Sequence, residues 1–399
     1  MRVLLIGSGG REHAMAWKLI QSQKITELIV APGNAGTAEL GENVPVMADD
    51  LDGLLAIAKT RSIDLTVVGP EQPLIDGISE LFQRHGLKIF GPSKNAARIE
   101  GSKIWSNDLM VKYAIPTADS VAFSESTQAI DYALARPEGS LVVKADGPAA
   151  GKGVLLPDTY EDLEIAVRGM LDGASFGESS SSLLLAERMS GPEVSVFAFL
   201  DGETVSAEIA ACDYKRIGEG DTGLNTGGVG AYAPPEFWTN ELAARVRMEI
   251  LEPTARALVA ENSAYSGVLY VGLMITSSGP RVIEFNCRLG DPECQVLMPK
   301  LVNDFLEICL AVAEGRLGQQ EVIWSDLACT FVVMTSDGYP GNYETGATIT
   351  GVHQASEHGL VVHAGTSRQN DGALVTDGGR VLGVVGSGET IGGSRVAAY

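Results

Sequence analysis

Short apolar runs alternate with amphipathic segments over the N-terminal part of the chain. The runs are VLLIG, ELIVA, DLTVVG and KIFG, and helical periodicity begins at Arg11 and also covers 51–60 and 74–86. This alternation is typical of βαβ units, whose parallel strands present ligand sites at their carboxyl ends. We therefore expect residues 1–101 to form a Rossmann-like domain with a parallel sheet.

A β-hairpin is predicted further along the chain. One strand from Val271 to Thr276 and another from Arg281 to Asn286 flank a short turn that contains glycine and proline. Because side chains alternate on a strand, Glu284 and Asn286 share one face and leave the other face apolar. One face can enter a core while the other remains available for polar chemistry.

The pattern changes on both sides of this hairpin. Residues 238–260 have the periodicity of a long amphipathic helix that is interrupted near Pro253 and packs behind the hairpin. From residue 322 onward, short strands separated by glycine turns predict a β-rich unit of its own. The predicted organisation is α/β and α+β, with domains at 1–101, 102–320 (including a glycine-rich lid subdomain at about 120–190) and 321–399.

Composition supports several domains in a soluble chain. The 399 residues exceed the size at which a single core stops growing, and 45% of them are hydrophobic without a run long enough to span a bilayer. Because a strand pattern starts at Val3, no signal peptide is predicted, and we expect a cytoplasmic protein. The net charge of −22 disfavours nucleic acid or an anionic membrane as a partner. The five cysteines include no CxxC pair, which argues against disulfides and zinc.

The loop from Gly7 to His13 follows the first predicted strand and has the sequence GSGGREH. The dinucleotide-binding fingerprint fails here, because Glu12 occupies its third glycine position and Pro32 stands where a ribose-binding acid belongs. A glycine loop before a helix still offers backbone amides and a positive dipole end to a single phosphate. The alternative is a tight turn without a ligand.

A second glycine-rich loop follows the predicted strand Leu141 to Ala145. Its sequence is DGPAAGKGV, with Lys152 between two glycines, and Lys144 lies on the strand itself. Such a loop can close its amides over phosphates while the lysines supply charge. The spacing of a Walker A loop is absent, so the loop indicates a phosphate site only in combination with Lys144.

Two further polar regions have two interpretations each. Glu187 and Glu193 stand at strand margins, where they either hold ribose hydroxyls or are solvated strand ends. The loops DYKR and GLNTGGVGAY, which contain Asp213 and Asn225, either connect flexibly or bring amides and small polar groups to a substrate.

The polar face of the predicted hairpin suits a hard cation. Glu284 and Asn286 offer a carboxylate and an amide oxygen from one strand, and Mg²⁺ takes a few such protein oxygens and fills its other positions with water and phosphate. Arg288 follows on the same face, and two ligands with a cation describe a phosphoryl-transfer site. The alternative is a hairpin with a solvated polar face.

Taken together, these motifs resemble the ATP-grasp ligases, and among them the phosphoribosylamine glycine ligase (glycinamide ribonucleotide synthetase) family of purine biosynthesis. The similarity covers almost the whole chain in the family's order, through GSGGREHA, PGNAGT, VGPE, KIFGP, EGSK, KADGPAAGKGV, DYKR, NTGGVGAY, VIEFNCRLGDPE, HAGT and TDGGRVLGV. The resemblance implies that ATP phosphorylates the carboxylate of glycine and that the amine of phosphoribosylamine attacks the acyl phosphate. Positioning and charge stabilisation suffice for such a reaction, without a nucleophilic side chain.

The resemblance also implies roles for individual residues. Glu284 and Asn286 would bind Mg²⁺ or Mn²⁺, and Arg288 would neutralise the acyl phosphate as a catalytic residue together with Asp213 and Asn225. ATP would be held by Lys103, Lys144, Gly151, Lys152, Gly153, Glu187 and Glu193. The sugar phosphate and glycine would be positioned by Gly9, Gly10, Asp213, Asn225, Gly290, Asp291, Pro292 and Glu293.

Other expectations concern the whole molecule. Chains of this family usually continue past the equivalent of Tyr399 through the rest of a helix and a final strand, so we expect a truncated C-terminal domain with an open sheet edge. We also expect a monomer. Two alternatives to the ligase are an ATP-grasp enzyme for another acid and amine, and a nucleotide-binding chain without turnover.

Overall fold

The computed structural model describes residues 1–147, 153–173, 182–220 and 222–399. Within these ranges the chain forms a parallel N-terminal sheet, a small four-stranded sheet and a long antiparallel sheet. The residues expected to form most of the glycine-rich phosphate loop, Gly151 and Lys152 among them, lie outside the described ranges.

The N-terminal sheet is parallel, with strand order β3-β2-β1-β4-β5. Its strands and helices are β1 (Arg2–Gly7), α1 (Gly10–Leu19), β2 (Glu27–Pro32), α2 (Thr37–Leu40), β3 (Glu42–Asn43), α3 (Leu51–Thr60), β4 (Leu65–Val68), α4 (Glu71–Asp76), α5 (Ile78–Arg84), β5 (Ile89–Phe90) and α6 (Lys94–Gly101). Leu4 and Ile6 pack into one core while Val3 and Leu5 pack into another, so the sheet is buried on both faces. The prediction of a Rossmann-like parallel sheet is confirmed.

One predicted helix of this region is divided in two. The periodicity of residues 74–86 predicts a single helix, but α4 begins at Glu71 and ends before Gly77, where α5 starts. Gly77 has φ +96°, a left-handed conformation that glycine adopts without a steric penalty from Cβ. Apolar periodicity does not reveal this break, because both helices bury the same side.

A small sheet with strand order β6-β9-β7-β8 lies in the range predicted for the lid. Its elements follow α7 (Lys103–Lys112) and are β6 (Ser120–Phe123), α8 (Ser126–Leu134), β7 (Leu141–Ala145), β8 (Val154–Leu155), α9 (Tyr160–Leu171) and β9 (Leu183–Glu187). Side chains of α8, α9, β7 and β9 form a core cluster distinct from the clusters of the other sheets. This sheet is therefore stabilised largely by its own packing.

The long sheet has the order β17-β16-β10-β12-β15-β18-β22-β19. Its middle part and the elements around it are β10 (Glu193–Asp201), β11 (Thr204–Val205), β12 (Ile209–Asp213), β13 (Arg216–Gly218), β14 (Thr222–Asn225), β15 (Gly230–Ala233), α10 (Asn240–Val246), α11 (Glu252–Ala260), β16 (Ser266–Thr276), β17 (Gly279–Asn286), α12 (Glu293–Lys300) and α13 (Phe305–Ala313). The predicted hairpin is confirmed, since β16 and β17 pair antiparallel around a turn at Ser277 and Ser278.

The helix predicted at 238–260 is interrupted before Pro253 rather than at it. A π-helical turn at Arg247–Leu251 joins α10 to α11, and Pro253 lies in the first turn of α11. Val246 and Leu258 share a core cluster with residues of β16 and β17, so the helices pack behind the hairpin as predicted.

The C-terminal region is rich in short strands, as predicted, but its main strands extend the long sheet. Its elements are β18 (Ala328–Thr335), α14 (Val352–Ser356), β19 (Leu360–His363), β20 (Thr366–Arg368), β21 (Leu374–Thr376), β22 (Arg380–Gly388) and α15 (Ile391–Ala398). Strand β18 pairs with β15, which joins this region to the middle of the chain. The sequence predicted a unit of its own, because pairing between strands distant in sequence has no local signal.

Two general features complete the fold. All five cysteines are buried and free, in agreement with the interpretation of their spacing. In the part of the chain that the structure describes, no helix is both long and apolar enough to cross a bilayer.

Candidate active site

The end of β17 carries the pair of residues predicted to bind a metal. Glu284 lies opposite Gly272 and Asn286 opposite Tyr270 in the ladder with β16, so the two side chains share a face. Among the described residues, the Glu284 side chain has no hydrogen-bond or ion-pair partner, and the buried amide nitrogen of Asn286 has none either. The Glu284 carboxylate, which the fold does not use in this way, and the Asn286 amide oxygen, which accepts only from Arg288 (3.2 Å) among the described residues, are oxygen ligands that fit a hard divalent cation.

Lys144 lies directly beside this strand. Its Nζ donates a hydrogen bond to the carbonyl oxygen of Ile283 (2.8 Å), the residue before Glu284. Burial lowers the pKa of Lys144, and the Glu284 carboxylate opposes that shift. The strand lysine of the small sheet therefore binds the residue that precedes the acid of the hairpin.

Other residues predicted to bind ATP lie near the contact between β7 and the hairpin. Lys103 Nζ donates to the carbonyl oxygen of Gly147 at 3.5 Å, and the carbonyl of Gly153 accepts from the Ala145 amide at 2.8 Å. Glu187 is exposed at the end of β9 and accepts from Arg281 (3.2 Å). Gly147 and Gly153 are therefore held by α7 and β7, and Glu187 connects the small sheet to the hairpin.

Arg288 is held by two carboxylates from the N-terminal region. Its Nε donates to Glu71 (3.0 Å), and its Nη2 donates to Glu100 (3.1 Å) and to the side-chain oxygen of Asn286 (3.2 Å). Burial opposes the charge of Arg288, but Glu100 and Glu71 outweigh that effect and raise the pKa of the guanidinium. The predicted catalytic arginine thus joins the metal-site strand to the N-terminal sheet.

The pKa values of Glu100 and Glu71 shift in opposite directions in this cluster. Burial raises the pKa of Glu100 even with Arg288 beside it. For Glu71, burial also acts upward, but Arg288 and Arg11 outweigh it and lower the pKa. The cluster is therefore sensitive to any loss of positive charge.

The loop after β1 shows why the dinucleotide fingerprint fails. Glu12 accepts the Gly9 amide hydrogen bond (2.7 Å), caps α1 and pairs with Arg11 (2.6 Å). A Cβ at Gly69 would collide with the same carboxylate, so Glu12 fills the space between the ends of β1 and β4. A dinucleotide pyrophosphate would require that space, and the Gly9 amide is already used.

The turn from Gly290 to Glu293 contains two acids with different surroundings. Glu293 is buried and accepts hydrogen bonds from Ser195 (3.0 Å) and Tyr270 (2.9 Å). Burial raises the pKa of Glu293, and the charge of Asp213 adds to the shift. The Asp291 carboxylate instead accepts a hydrogen bond from Arg380 (3.0 Å).

Asp213 and Glu193 meet at a lysine that the sequence did not single out. Lys215 Nζ lies 2.9 Å from Asp213 and 3.3 Å from Glu193. Burial opposes the charge of Lys215, but Asp213 and Glu193 outweigh it and raise the pKa. Asn225 is different: it is exposed at the end of β14, and no described residue is a hydrogen-bond partner of its side chain.

Sequence reasoning missed the partners that hold the predicted residues. Glu71 and Glu100 belong to the motifs VGPE and EGSK, and Lys215 to DYKR, but their contacts cross many residues of sequence. A position at a strand end or helix end was the only local signal. The pairing itself requires the fold.

A long antiparallel sheet and a separate small sheet, with a strand lysine bound next to an acid at the end of a hairpin, define an ATP-grasp enzyme. In agreement, residues 1–100, 101–294 and 329–399 match the N domain, the ATP-grasp (A) domain and the C domain of phosphoribosylglycinamide synthetase. The chain belongs to this family. Its activity is the ATP-dependent synthesis of glycinamide ribonucleotide in purine biosynthesis.

Individual relatives agree with this assignment. The chain is 46% identical over 394 residues to the phosphoribosylamine–glycine ligase of Pasteurella multocida, covering 98% of this chain and 91% of the relative. The crystal structure of that ligase from Thermotoga maritima has a TM-score of 0.87 at 33% identity and covers 100% of this chain and 95% of its own. A biotin carboxylase from Campylobacter jejuni shares the fold, with a TM-score of 0.70 at 15% identity and coverage of 97% and 87%.

These coverages do not support the predicted truncation of the C-terminal domain. The match to the C domain extends over 329–399, and the helix expected to be incomplete is α15. This helix packs on the sheet, where the hydroxyls of Ser394 and Thr330 share a hydrogen bond of 2.7 Å. Helix α15 therefore covers the face of β18 and β22 on which it packs.

Proposed function

We propose that the junction of hairpin, small sheet and N-terminal sheet is where the ligase activates glycine as an acyl phosphate. The observation that carries this proposal is the contact of Lys144 with the carbonyl of Ile283, next to Glu284 (2.8 Å). This contact supports the proposal because it brings a lysine, which can bind phosphate, close to a carboxylate, which can bind a divalent cation. Phosphoryl transfer needs positioned charge of both signs and little covalent chemistry from the protein.

ATP is assigned to the cleft between the small sheet and the hairpin. Lys103, Lys144 and the loop containing Gly151, Lys152 and Gly153 hold its phosphates, while Glu187 and Glu193 meet the adenosine end. A divalent cation, Mg²⁺ or Mn²⁺, held by Glu284 and Asn286 would supply charge neutralisation on the phosphates. What supports this assignment is that both acids of the adenosine end and both described lysines lie around one junction.

Glycine and the sugar phosphate are assigned to the other side of the hairpin. Asp213 and Asn225 face glycine, and Gly9, Gly10 and the turn Gly290 to Glu293 (Gly290, Asp291, Pro292 and Glu293) position the sugar phosphate. The carboxylate of glycine attacks the terminal phosphorus of ATP, and ADP leaves. The amine of phosphoribosylamine then attacks the acyl carbon, phosphate leaves, and Arg288 stabilises the charge on the departing group.

The reaction scheme is tested by ADP release from the purified protein. We expect release only when Mg²⁺, ATP, glycine and freshly generated phosphoribosylamine are all present, because each attack needs the previous ligand in place. A positional-isotope experiment with ¹⁸O-labelled glycine adds a second readout, since an acyl phosphate transfers one label to the released phosphate. Release with another acid but not with glycine, or unlabelled phosphate, would contradict the scheme.

Lys144→Ala tests the assignment of ATP. Loss of one charge-assisted hydrogen bond to a phosphate costs about 1.5–3 kcal/mol, so the KM for ATP is expected to rise roughly 10- to 100-fold. The KM values for glycine and phosphoribosylamine are expected to change little. Lys59→Ala removes an exposed lysine of α3 and serves as the control. An unchanged affinity for ATP in the Lys144 variant would exclude the assigned role.

Some properties of the molecule stay predictions. These are the domain limits at residues 101 and 320, a monomeric state, and a cytoplasmic location. Ultracentrifugation at several protein concentrations would test the monomeric state directly.

A further inference from the structure

Arg380 connects the C-terminal region to two segments of the candidate site. Its Nη1 donates to the carbonyl oxygens of Gly227 (2.6 Å), Gly228 (3.4 Å) and Asp291 (2.9 Å). Its Nη2 donates to the Asp291 carboxylate at 3.0 Å. One guanidinium at the start of β22 therefore fixes both a glycine loop and the turn that begins at Gly290.

The two segments also touch each other. Gly228 has φ +102°, and a Cβ there would collide with the ring of Pro292. The neighbouring Gly227 donates its amide hydrogen to the Tyr339 hydroxyl (3.0 Å), another group from the C-terminal region. Loop and turn thus form one unit, held from the C-terminal side by Arg380 and Tyr339.

The Asp291 carboxylate adds a negative charge to this unit. Its carboxylate lies at the N-terminal end of α1, where a Cβ added to Gly9 would be 3.4 Å from the Oδ2 atom. Burial acts to raise the pKa of Asp291, but Arg380 and then Arg11 outweigh it and lower the pKa, so the group is ionised. An uncompensated carboxylate at this place would repel an anionic ligand from the helix end.

The pairing of Arg380 with Asp291 matters more for the sugar phosphate than for glycine. Arg380 donates to the Asp291 carboxylate (3.0 Å), whereas Arg11 is paired with Glu12 and Arg288 with Glu71 and Glu100. Without Arg380, Asp291 would therefore add an uncompensated negative charge, which repels an anionic sugar phosphate. Glycine is a zwitterion without net charge and would be repelled less.

We propose that Arg380 is a positioning residue for phosphoribosylamine. It orients the loop at Gly227 and Gly228 against the turn at Asp291, and it neutralises Asp291 beside the phosphate-binding end of α1. This inference rests on the proposed place of the sugar phosphate. It goes further by making a side chain of the C-terminal region part of substrate recognition.

The test is the kinetics of Arg380→Ala with each substrate varied in turn. Loss of charge-assisted hydrogen bonds from one guanidinium is expected to raise the KM for phosphoribosylamine about 10- to 100-fold. The KM for ATP is expected to remain within about twofold, because no described contact of Arg380 reaches the assigned ATP residues. The KM for glycine is expected to rise less than the KM for phosphoribosylamine, since Arg380 holds the loop near Asn225 but contacts neither Asn225 nor Asp213. Arg380→Lys keeps the charge but loses the fork of donors, so an intermediate KM is expected.

Two further measurements separate positioning from a general structural effect. Added guanidinium ion is expected to restore part of the phosphoribosylamine affinity in Arg380→Ala and to have no such effect on the unsubstituted protein. Arg368→Ala is the matched control, because Arg368 is also a C-terminal arginine that pairs with an acid of the N-terminal region, Glu39, away from the turn. Its KM values should not change.

Distinct outcomes would overturn the proposal. These are an equal rise of all three KM values, a lower melting temperature with unchanged KM values, or a rise for glycine alone. ADP release by the unsubstituted protein that depends on phosphoribosylamine establishes the reaction independently of Arg380. A failure of the ligase scheme and a failure of the positioning role are therefore distinguishable.

Discussion

Glu284→Ala is expected to lower turnover by a factor of the order of 10³, which corresponds to about 4 kcal/mol of transition-state stabilisation. The carboxylate is the charged member of the proposed pair of cation ligands, and Asn286 offers only a neutral oxygen in its place. The Glu284 side chain has no hydrogen-bond or ion-pair partner in the described part of the chain, so the fold does not depend on it. The free energy of unfolding is therefore expected to stay within about 0.5 kcal/mol of the original value.

The metal assignment has a readout that does not need turnover. Binding of Mn²⁺ in the presence of ATP, followed by electron paramagnetic resonance, is expected to weaken in the Glu284 variant. Glu249→Ala serves as the control, because Glu249 pairs with Arg245 on one side of a helix and not with residues of the site. If the Glu284 variant keeps full activity or binds Mn²⁺ as before, the proposed ligand set is wrong.

The amino-acid pattern predicts those parts of the fold that local periodicity determines. Strands β1, β2, β4 and β5, the helix at 51–60 and the hairpin that ends at Asn286 follow from apolar spacing and turn residues, and the structure confirms them, whereas the short strand β3 is not predicted. The break at Gly77 does not follow, because glycine also occurs inside helices and only its φ distinguishes the cases. The joining of β15 to β18 depends on a contact between distant segments.

In the candidate site, too, the sequence predicts local features and only the fold shows the long-range contacts. Alternation on β17 predicts that Glu284 and Asn286 share a face, since the rule depends only on neighbouring residues. The hydrogen bonds of Arg288 to Glu71 and Glu100 join residues that are 217 and 188 positions apart in the sequence. No pattern within a window of sequence contains that information. Sequence reasoning therefore identified the chemical groups, and the fold supplied their counter-charges.

Those counter-charges affect the interpretation of Arg288. A guanidinium that stabilises a leaving phosphate acts best when it is fixed in place before the reaction. Glu71 and Glu100 provide that fixation, while Asn286 places the same guanidinium next to the proposed cation site. The acids thereby connect the N-terminal region to the reacting groups. Removing Arg288 should disturb catalysis and stability through different interactions.

Arg288→Leu is expected to destabilise the protein by about 3–5 kcal/mol at neutral pH, because it leaves the partly buried carboxylates of Glu71 and Glu100 without their cation. The loss should shrink at lower pH. Burial already raises the folded-state pKa of Glu100 above its usual 4.5, and removing Arg288 raises it further. The cost is therefore absent below the unfolded-state pKa and grows as pH rises through the folded-state pKa. Urea unfolding at several pH values measures it.

The double variant Arg288→Leu, Glu100→Gln separates the two roles of the arginine. Neutralising Glu100 removes the unpaired buried charge, so most of the lost stability is expected to return, whereas turnover is expected to stay about 10²- to 10³-fold low because the donor to the leaving phosphate is still absent. Arg247→Leu, which breaks ion pairs with Glu208 and Glu252 away from the site, should affect stability without changing turnover. Recovery of turnover together with stability would mean that Arg288 acts only through the fold. No recovery of either would show that the Glu100 carboxylate is not the main source of the instability.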